Sequence, residues 1–189
     1  MYRIRFHGRG GQGMKTASRI LGSAFFAEGF EVQDAPRYGA ERRGAPIFAY
    51  VRAARDAINE RGIISRPDLV IVADDTLVPV PASGVLAGIG EHTVLLINTT
   101  EDANAWRHRL NIRSPVITLP VSADVGDRAD LPYIGATCAG AAARLVGVIS
   151  RDALAGAIRD ELATLGKSVI ERNLDNALDA WDRMQEHTG

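Results

Sequence analysis

Cysteine is almost absent from this sequence, and its scarcity excludes several kinds of chemistry. Cys138 is the single cysteine among 189 residues. One thiol cannot close a disulfide bond within the chain, and it cannot hold an iron–sulfur cluster alone, because such clusters need several thiolate ligands. The histidines include no pair at metal-ligand spacing; they are His7, His92, His108 and His187. We therefore expect no metal site, a reducing cytoplasmic location, and a buried, unreactive Cys138.

Strong net charge and long apolar runs are missing as well. The formal net charge at pH 7 is -1, so nothing attracts the whole chain to nucleic acid or to an anionic membrane. No apolar run approaches the roughly 18 residues that a membrane-spanning helix needs. Arginines interrupt the first ten residues, which is unlike a signal peptide. We predict no nucleic-acid partner and no membrane association.

The composition that remains is that of an ordinary globular protein. Hydrophobic residues make up 46% of the sequence and charged residues 24%. A chain of this length buries enough surface to fold without disulfides or a structural metal. We predict one domain spanning residues 1–189.

Short apolar runs of strand length alternate with helical segments. The predicted strands are Tyr2–His7, Phe30–Gln33, Ala45–Val51, Leu69–Ala73, Thr93–Asn98 and Val116–Leu119, with a short return strand at Asp56–Asn59. The predicted helices are Gln12–Glu28, Glu101–Leu110, Ile134–Val148, Arg151–Leu165 and Ser168–Met184. This alternation predicts a three-layer α/β/α fold with a mostly parallel, Rossmann-like sheet and C-terminal helices. Asp74 and Asp75 follow a strand and are expected to cap the next turn.

A glycine-rich turn joins the first strand to the first helix. Gly8, Gly10 and Gly13 have the GxGxxG spacing, and such a turn lets backbone N–H groups at a helix start approach a phosphate. Gly10 is expected to take a positive φ, and Lys15 could add a positive charge. A tight turn that binds nothing is the alternative. A dinucleotide site is disfavoured, because no acidic residue stands clearly at the end of the second strand.

An arginine-rich loop is predicted between Asp34 and Gly44. It contains the adjacent residues Arg42 and Arg43 after Glu41, between glycines and before a proline. Such a loop suits recognition of phosphate or carboxylate, or contact with another subunit. The alternative is a solvated surface loop whose ion pair contributes less than about 1 kcal/mol.

Two motifs together resemble a known family. Phe6–Gly13 followed by Tyr38–Pro46 is similar to the gamma subunit of the 2-oxoacid:acceptor oxidoreductases, the pyruvate:ferredoxin oxidoreductase family. The similarity continues through Pro67–Leu77, Ile134–Ala141 and Glu171–Leu174. One departure is the lack of an asparagine just before Ile134, so no role for that residue is carried over.

The resemblance implies a function within a complex. The family converts a 2-oxoacid and coenzyme A to acyl-CoA, carbon dioxide and a reduced acceptor. Thiamine diphosphate, Mg²⁺ and 4Fe–4S clusters are then expected in partner alpha, beta and ferredoxin-like delta subunits, because this chain has neither a Gly-Asp-Gly motif nor a cysteine cluster. The gamma subunit supports assembly, is not active alone and carries no catalytic residue.

The resemblance also suggests coenzyme A as a ligand of this chain. The residues expected to bind it are Gly8, Arg9, Gly10, Gly11, Gln12, Gly13, Lys15, Arg42 and Arg43. Contact of the two arginines with a partner subunit is an equal alternative. Two other functions stay open: a free-standing nucleotide-dependent Rossmann oxidoreductase and a purely structural module. Neither the 2-oxoacid nor the electron acceptor is indicated by the sequence.

Overall fold

Within the described residues, alternating apolar strands and amphipathic helices build a six-stranded mixed sheet with five helices. The computed structural model describes residues 1–37, 45–121 and 132–187. The strands are β1 (Tyr2–Arg9), β2 (Glu31–Arg37), β3 (Pro46–Ala54), β4 (Leu69–Val72), β5 (Val94–Ile97) and β6 (Val116–Thr118). The helices are α1 (Met14–Ala27), α2 (Ala103–Leu110), α3 (Pro132–Val146), α4 (Arg151–Glu161) and α5 (Lys167–Arg183). Short 3₁₀ turns cover Asp75–Leu77, Pro81–Ser83 and Met184–His187.

The strand order is β2-β3-β1-β4-β5-β6. Strands β1, β4, β5 and β6 pair in parallel, whereas β3 lies antiparallel to both β1 and β2. The predicted α/β class with a mostly parallel sheet is therefore confirmed. The insertion of β3 between β1 and β2 was not predicted, because it depends on strand register rather than on local pattern.

Both faces of the sheet are covered, which explains the continuous apolar run in β4. Leu69 and Ile71 pack on the side of α1, α3, α4 and α5. Val70 and Val72 pack on the opposite side, with Trp106 of α2. A strand buried on both faces needs apolar residues at every position. In the described part of the chain, α2 and the 3₁₀ turns of residues 75–83 cover this second face, so fewer described helices pack here than on the first face.

Small residues let α3 approach its neighbours closely. A Cβ atom at Gly140 would lie 2.0 Å from the carbonyl oxygen of Ala177 in α5, and one at Gly135 would lie 2.5 Å from the carbonyl oxygen of Gly13. Neither position can accept a larger residue without moving a backbone segment. The first turn of α3 therefore rests directly on the glycine-rich turn before α1.

Several predicted boundaries differ from the structure, and one predicted strand does not form. Strand β2 continues to Arg37 and includes Pro36, because β2 is an edge strand and needs no N–H bond on its open side. Asp56–Asn59 forms no strand, since both sides of β3 are already paired. Helix α4 ends at Glu161, and residues 162–165 form the turn that leads to α5. Among the described helices, none is long and apolar enough to cross a membrane.

Candidate functional site

The glycine-rich turn lies at the carboxyl end of β1, as predicted. Gly11 and Gly13 have φ values of 97° and 76°, a left-handed region that favours glycine. Gly10 is not among the glycines with positive φ, so that prediction is wrong. Instead, its N–H donates to the carbonyl oxygen of Ala45 at 3.0 Å. The turn therefore depends on Gly11 and Gly13 for its path, and the backbone N–H of Gly10 ties it to the residue just before β3.

The start of α1 has no side-chain cap. Gly13 is the N-cap residue, and as a glycine it offers no acceptor to the first N–H groups of the helix. The first turn of α1 also contains no acidic residue, while Lys15 is exposed there. The positive end of the helix dipole is therefore not balanced by a carboxylate in that turn.

Arg9 and Gln12 are held by Asp74, which follows β4. The Nε of Arg9 donates to Oδ2 of Asp74 at 2.8 Å, and its Nη2 donates to Oγ1 of Thr76 at 2.8 Å. The side-chain oxygen of Gln12 accepts the N–H of Arg9 at 2.7 Å, and its amide nitrogen lies 3.4 Å from the same Asp74 oxygen. Both residues are predicted ligand contacts, and in this structure they also brace the turn.

Asp74 has more than the capping role that the sequence suggested. It does cap the following 3₁₀ turn, because its Oδ1 accepts the N–H of Thr76 at 3.1 Å. Its ion pair with Arg9 joins residues that are far apart in sequence, and sequence reasoning missed it. The signal that could have found it is the strand order, because neighbouring parallel strands end at the same edge of a sheet.

The end of β5 continues this polar edge. The side-chain amide of Asn98 donates to the carbonyl oxygen of Ala73 at 3.0 Å, and its oxygen accepts the N–H of Val121 at 2.9 Å. The hydroxyl of Thr99 donates to Asp75 at 2.7 Å. These bonds tie the ends of β4, β5 and β6 together.

Arg42 and Arg43 lie outside the described residues. The chain on either side of them is defined: β2 ends at Arg37, and β3 begins at Pro46. Pro46 is the β-sheet partner of Arg9, and Ala45 accepts the N–H of Gly10. The strands that flank the two arginines therefore end at the same edge of the sheet as the glycine-rich turn.

The opposite edge, at the amino ends of the parallel strands, is also polar. There an open cavity of about 1160 Å³ is lined by Arg3, Arg52, Glu60 and Asp68, among others. Glu60 forms ion pairs with both Arg3 and Arg52, and Asp68 accepts the N–H of Arg3 at 2.7 Å. The pairing with Arg3 lowers the pKa of Glu60.

Two buried groups take no part in these polar contacts. His7 is 2% exposed, and its Nδ1 lies 3.1 Å from the carbonyl oxygen of Ser83. Burial, with the nearby charge of Arg5, lowers the pKa of His7 to about 3, so the ring is neutral. Among the described residues its Nε2 has no hydrogen-bond partner, and these residues form no metal-ligating cluster. Cys138 is buried as predicted, and burial raises its pKa to about 12.

The fold and this turn define an α/β protein of the Rossmann-like class, and comparison with known proteins gives the family. The family model of pyruvate ferredoxin/flavodoxin oxidoreductase matches residues 3–182. The chain therefore belongs to the pyruvate ferredoxin/flavodoxin oxidoreductase family.

Its relatives carry a more specific description. The pyruvate/ketoisovalerate oxidoreductases common subunit gamma of Pyrococcus abyssi is 33% identical over 186 residues, which are 98% of each chain. The pyruvate synthase subunit PorC of Methanothermobacter marburgensis is 33% identical over 189 residues, the full length of both. The chain is accordingly a gamma subunit of a pyruvate or 2-oxoacid ferredoxin oxidoreductase.

Solved structures agree with the fold. The crystal structure of pyruvate oxidoreductase subunit PORC from Thermotoga maritima superimposes with a TM-score of 0.78 at 29% identity, covering 96% of this chain and 95% of that one. The 2-oxoglutarate:ferredoxin oxidoreductase of Magnetococcus marinus gives a TM-score of 0.68 at 20% identity. That match covers 99% of this chain but 31% of the longer one, so the same fold also occurs within a larger chain.

Proposed function

We propose that this gamma subunit binds the phosphate groups of coenzyme A at the glycine-rich turn. Its complex would convert a 2-oxoacid and coenzyme A to acyl-CoA and carbon dioxide, with two electrons passing to an acceptor. The observation that carries the proposal is the start of α1, where the chain turns through two left-handed glycines and presents a helix N-terminus without a carboxylate in its first turn. Helix N-termini of this kind attract phosphate through their N–H groups and dipole.

Nearby positive charges support the same ligand. Lys15 is exposed in the first turn of α1, and the strands that flank Arg42 and Arg43 end at the same edge. Arg9 is partly neutralised by Asp74, so we assign it to bracing the turn rather than to the ligand. Arginine fits the oxygens of a phosphate group with paired donors.

The remaining chemistry belongs to partner subunits in this proposal. Alpha, beta and ferredoxin-like delta subunits would hold thiamine diphosphate, Mg²⁺ and the 4Fe–4S clusters. The thiamine group supplies the carbanion chemistry of decarboxylation when it is bound in those subunits. This chain contributes binding and orientation of coenzyme A and no catalytic side chain. The Magnetococcus marinus enzyme, which shares the fold, was solved with coenzyme A and succinyl-CoA bound.

The proposal is tested by steady-state kinetics of the assembled complex. Arg42→Ala, Arg43→Ala and Gly11→Ala should each raise the Michaelis constant for coenzyme A. A charge-assisted contact is worth roughly 1.5–3 kcal/mol, so the arginine variants should show about a ten- to hundredfold rise. The constant for the 2-oxoacid should not change, and added salt should reproduce part of the effect. Lys167→Ala is the matched control, because Lys167 is exposed at the start of α5.

The alternative role of the arginines has a different signature. If they contact a partner subunit, the same variants should weaken assembly in native mass spectrometry and leave coenzyme A binding intact in the complex that remains. Wild-type constants for coenzyme A in all three variants contradict the proposed site.

A further inference from the structure

A groove on the helical face of the sheet combines an exposed aromatic side chain with an acidic rim. It lies between α1 and α4 over the edge strand β2, encloses about 600 Å³ and is called the α1–α4 groove here. The residues used below are Phe26 of α1, Asp34 of β2, and Asp152, Gly156 and Asp160 of α4, all of which line it. None of them belongs to the glycine-rich turn.

Phe26 is the apolar feature of this groove. Its side chain is 74% exposed, more than that of any other large hydrophobic residue in the described chain. The neighbouring residue Phe25 is fully buried, so Phe26 lies just off the core-facing stripe of α1. An aromatic ring buries 150–250 Å² when it is covered, and such rings are common anchors of protein interfaces.

The floor of the groove leaves room for a side chain from outside. A Cβ atom at Gly156 would meet no atom within 4 Å. The glycine is therefore not required for packing inside this chain, in contrast to Gly135 and Gly140. An incoming apolar group can lie against Gly156 and the ring of Phe26 together.

Among the described residues, the rim of the groove carries negative charges that no ion pair balances. Glu161 is balanced, because it pairs with Arg19 at 3.3 Å and accepts the hydroxyl of Ser23 at 2.8 Å. The exposed residues Asp34, Asp152 and Asp160 form no ion pair with any described residue. Asp152 lies in the first turn of α4, where the helix dipole favours a carboxylate, but no such effect accounts for Asp34 or Asp160.

We propose that the α1–α4 groove docks a segment of a neighbouring subunit that has an apolar side chain flanked by lysine or arginine. The apolar side chain would cover Phe26, and the cations would face Asp34 and Asp160. A second copy of this chain is the poorer occupant, since two grooves placed face to face would bring their acidic rims together. The proposal rests on the chain being a subunit of a complex and is independent of coenzyme A binding.

The groove is also separate from the proposed ligand site. Phe26 is in the last turn of α1, whereas the glycine-rich turn precedes its first residue. At a rise of 1.5 Å per residue the two are about 18 Å apart along the helix. Substitutions in the groove should therefore change assembly without changing the Michaelis constant for coenzyme A.

A photo-cross-linker identifies the occupant directly. p-Benzoylphenylalanine is incorporated at position 26, and the co-expressed complex is irradiated. The cross-linked peptides are then identified by mass spectrometry. The expected product joins position 26 to a partner-subunit peptide that contains an apolar residue beside lysine or arginine. The control position is Leu165, which is 43% exposed in the turn after α4 and does not line the groove. A cross-link to a second copy of this chain, or none in the assembled complex, overturns the proposal.

Two substitutions measure the strength of the docking. Phe26→Ser and Asp160→Lys should each weaken the association of this chain with the neighbouring subunit. For Phe26→Ser we expect about a thirtyfold increase in the dissociation constant of that pair. Both side chains are exposed, so the thermal midpoint of the isolated chain should not change. Asp175→Lys is the control for Asp160→Lys, because it reverses the same charge at an exposed position of α5 outside the groove. It should leave the dissociation constant unchanged. If either groove variant leaves the dissociation constant at the wild-type value, the proposal is wrong.

Discussion

The two edges of the sheet look alike in charge but differ in backbone. Each edge has an arginine of β1 paired with a carboxylate: Arg9 with Asp74 at the carboxyl edge, and Arg3 with Glu60 at the amino edge. At the carboxyl edge the left-handed glycines Gly11 and Gly13 precede the N-terminus of α1, whereas at the amino edge the left-handed Gly29 follows the C-terminus of the same helix. Ion pairs alone therefore do not distinguish a binding site from a structural one in this fold.

The burial of the two ion pairs differs as well. The side chain of Asp74 is 17% exposed, whereas that of Glu60 is 43% exposed. A carboxylate that is largely removed from water depends more on its partner than one that water can solvate. The carboxyl edge should therefore be more sensitive to substitution than the amino edge.

The largest effect is expected where α3 rests on the glycine-rich turn. Gly135→Val places a branched side chain against the carbonyl oxygen of Gly13, so either α3 or the turn must move. We expect a loss of about 3 kcal/mol in the free energy of unfolding, measured by urea denaturation. Gly166→Ala is the control, because a Cβ atom there meets nothing within 4 Å. Equal stability of the two variants would contradict the close contact.

The buried His7, which directly precedes the glycine-rich turn, gives a pH-dependent prediction. The pKa of His7 is lowered from 6.5 to about 3 by burial, so the unfolded chain binds a proton more readily than the folded one. The free energy of unfolding therefore has its full value above about pH 6.5 and decreases as the pH falls toward 3, because the unfolded chain takes up the proton first. The slope is about 1.4 kcal/mol per pH unit for this one group.

His7→Gln tests this dependence, because the amide can still donate to Ser83. The variant should show a shallower decline in the free energy of unfolding between about pH 6 and pH 4 than the wild type. His92→Gln is the control, since His92 is exposed at the amino edge. A wild-type slope in His7→Gln would show that His7 is protonated in the folded chain.

The comparison of the two ion pairs is sharpened by a matched pair of variants. Asp74→Asn should cost about 2 kcal/mol, because it removes the charge that holds Arg9 and weakens the brace on Gln12. Glu60→Gln should lower the thermal midpoint by less than Asp74→Asn does, because Glu60 is more exposed to water. Calorimetry at neutral pH measures both, and a larger decrease for Glu60→Gln would reverse the ranking of the edges.

Local pattern in the sequence predicted most of the elements but not the contacts between them. The apolar runs of β4 and β5 and the amphipathic stripe of α5 were found because each repeats with the period of its own element. The antiparallel β3 and the extension of β2 through Pro36 could not be found in this way, because both depend on which strand lies alongside.

For the candidate site, too, the sequence predicted the local turn but not the contact that joins it to another strand. The glycines of the turn all lie within residues 8–13, and their spacing identified the turn. Asp74 acts on Arg9 only because β4 lies next to β1, which no local pattern reports. At Gly10 the local pattern predicted too much. The GxGxxG spacing suggested a positive φ there, whereas the glycines of the turn with positive φ are Gly11 and Gly13.

The contact between Gly13 and Gly135 has a consequence for biosynthesis. The turn is encoded by the first residues of the chain, but α3, which closes over it, leaves the ribosome roughly 120 residues later, on the order of ten seconds at ordinary translation rates. A nascent or truncated chain that ends before α3 contains every glycine of the motif but lacks the helix that supports it. Ligand binding at the turn should therefore appear late in synthesis, after the C-terminal third of the chain has folded.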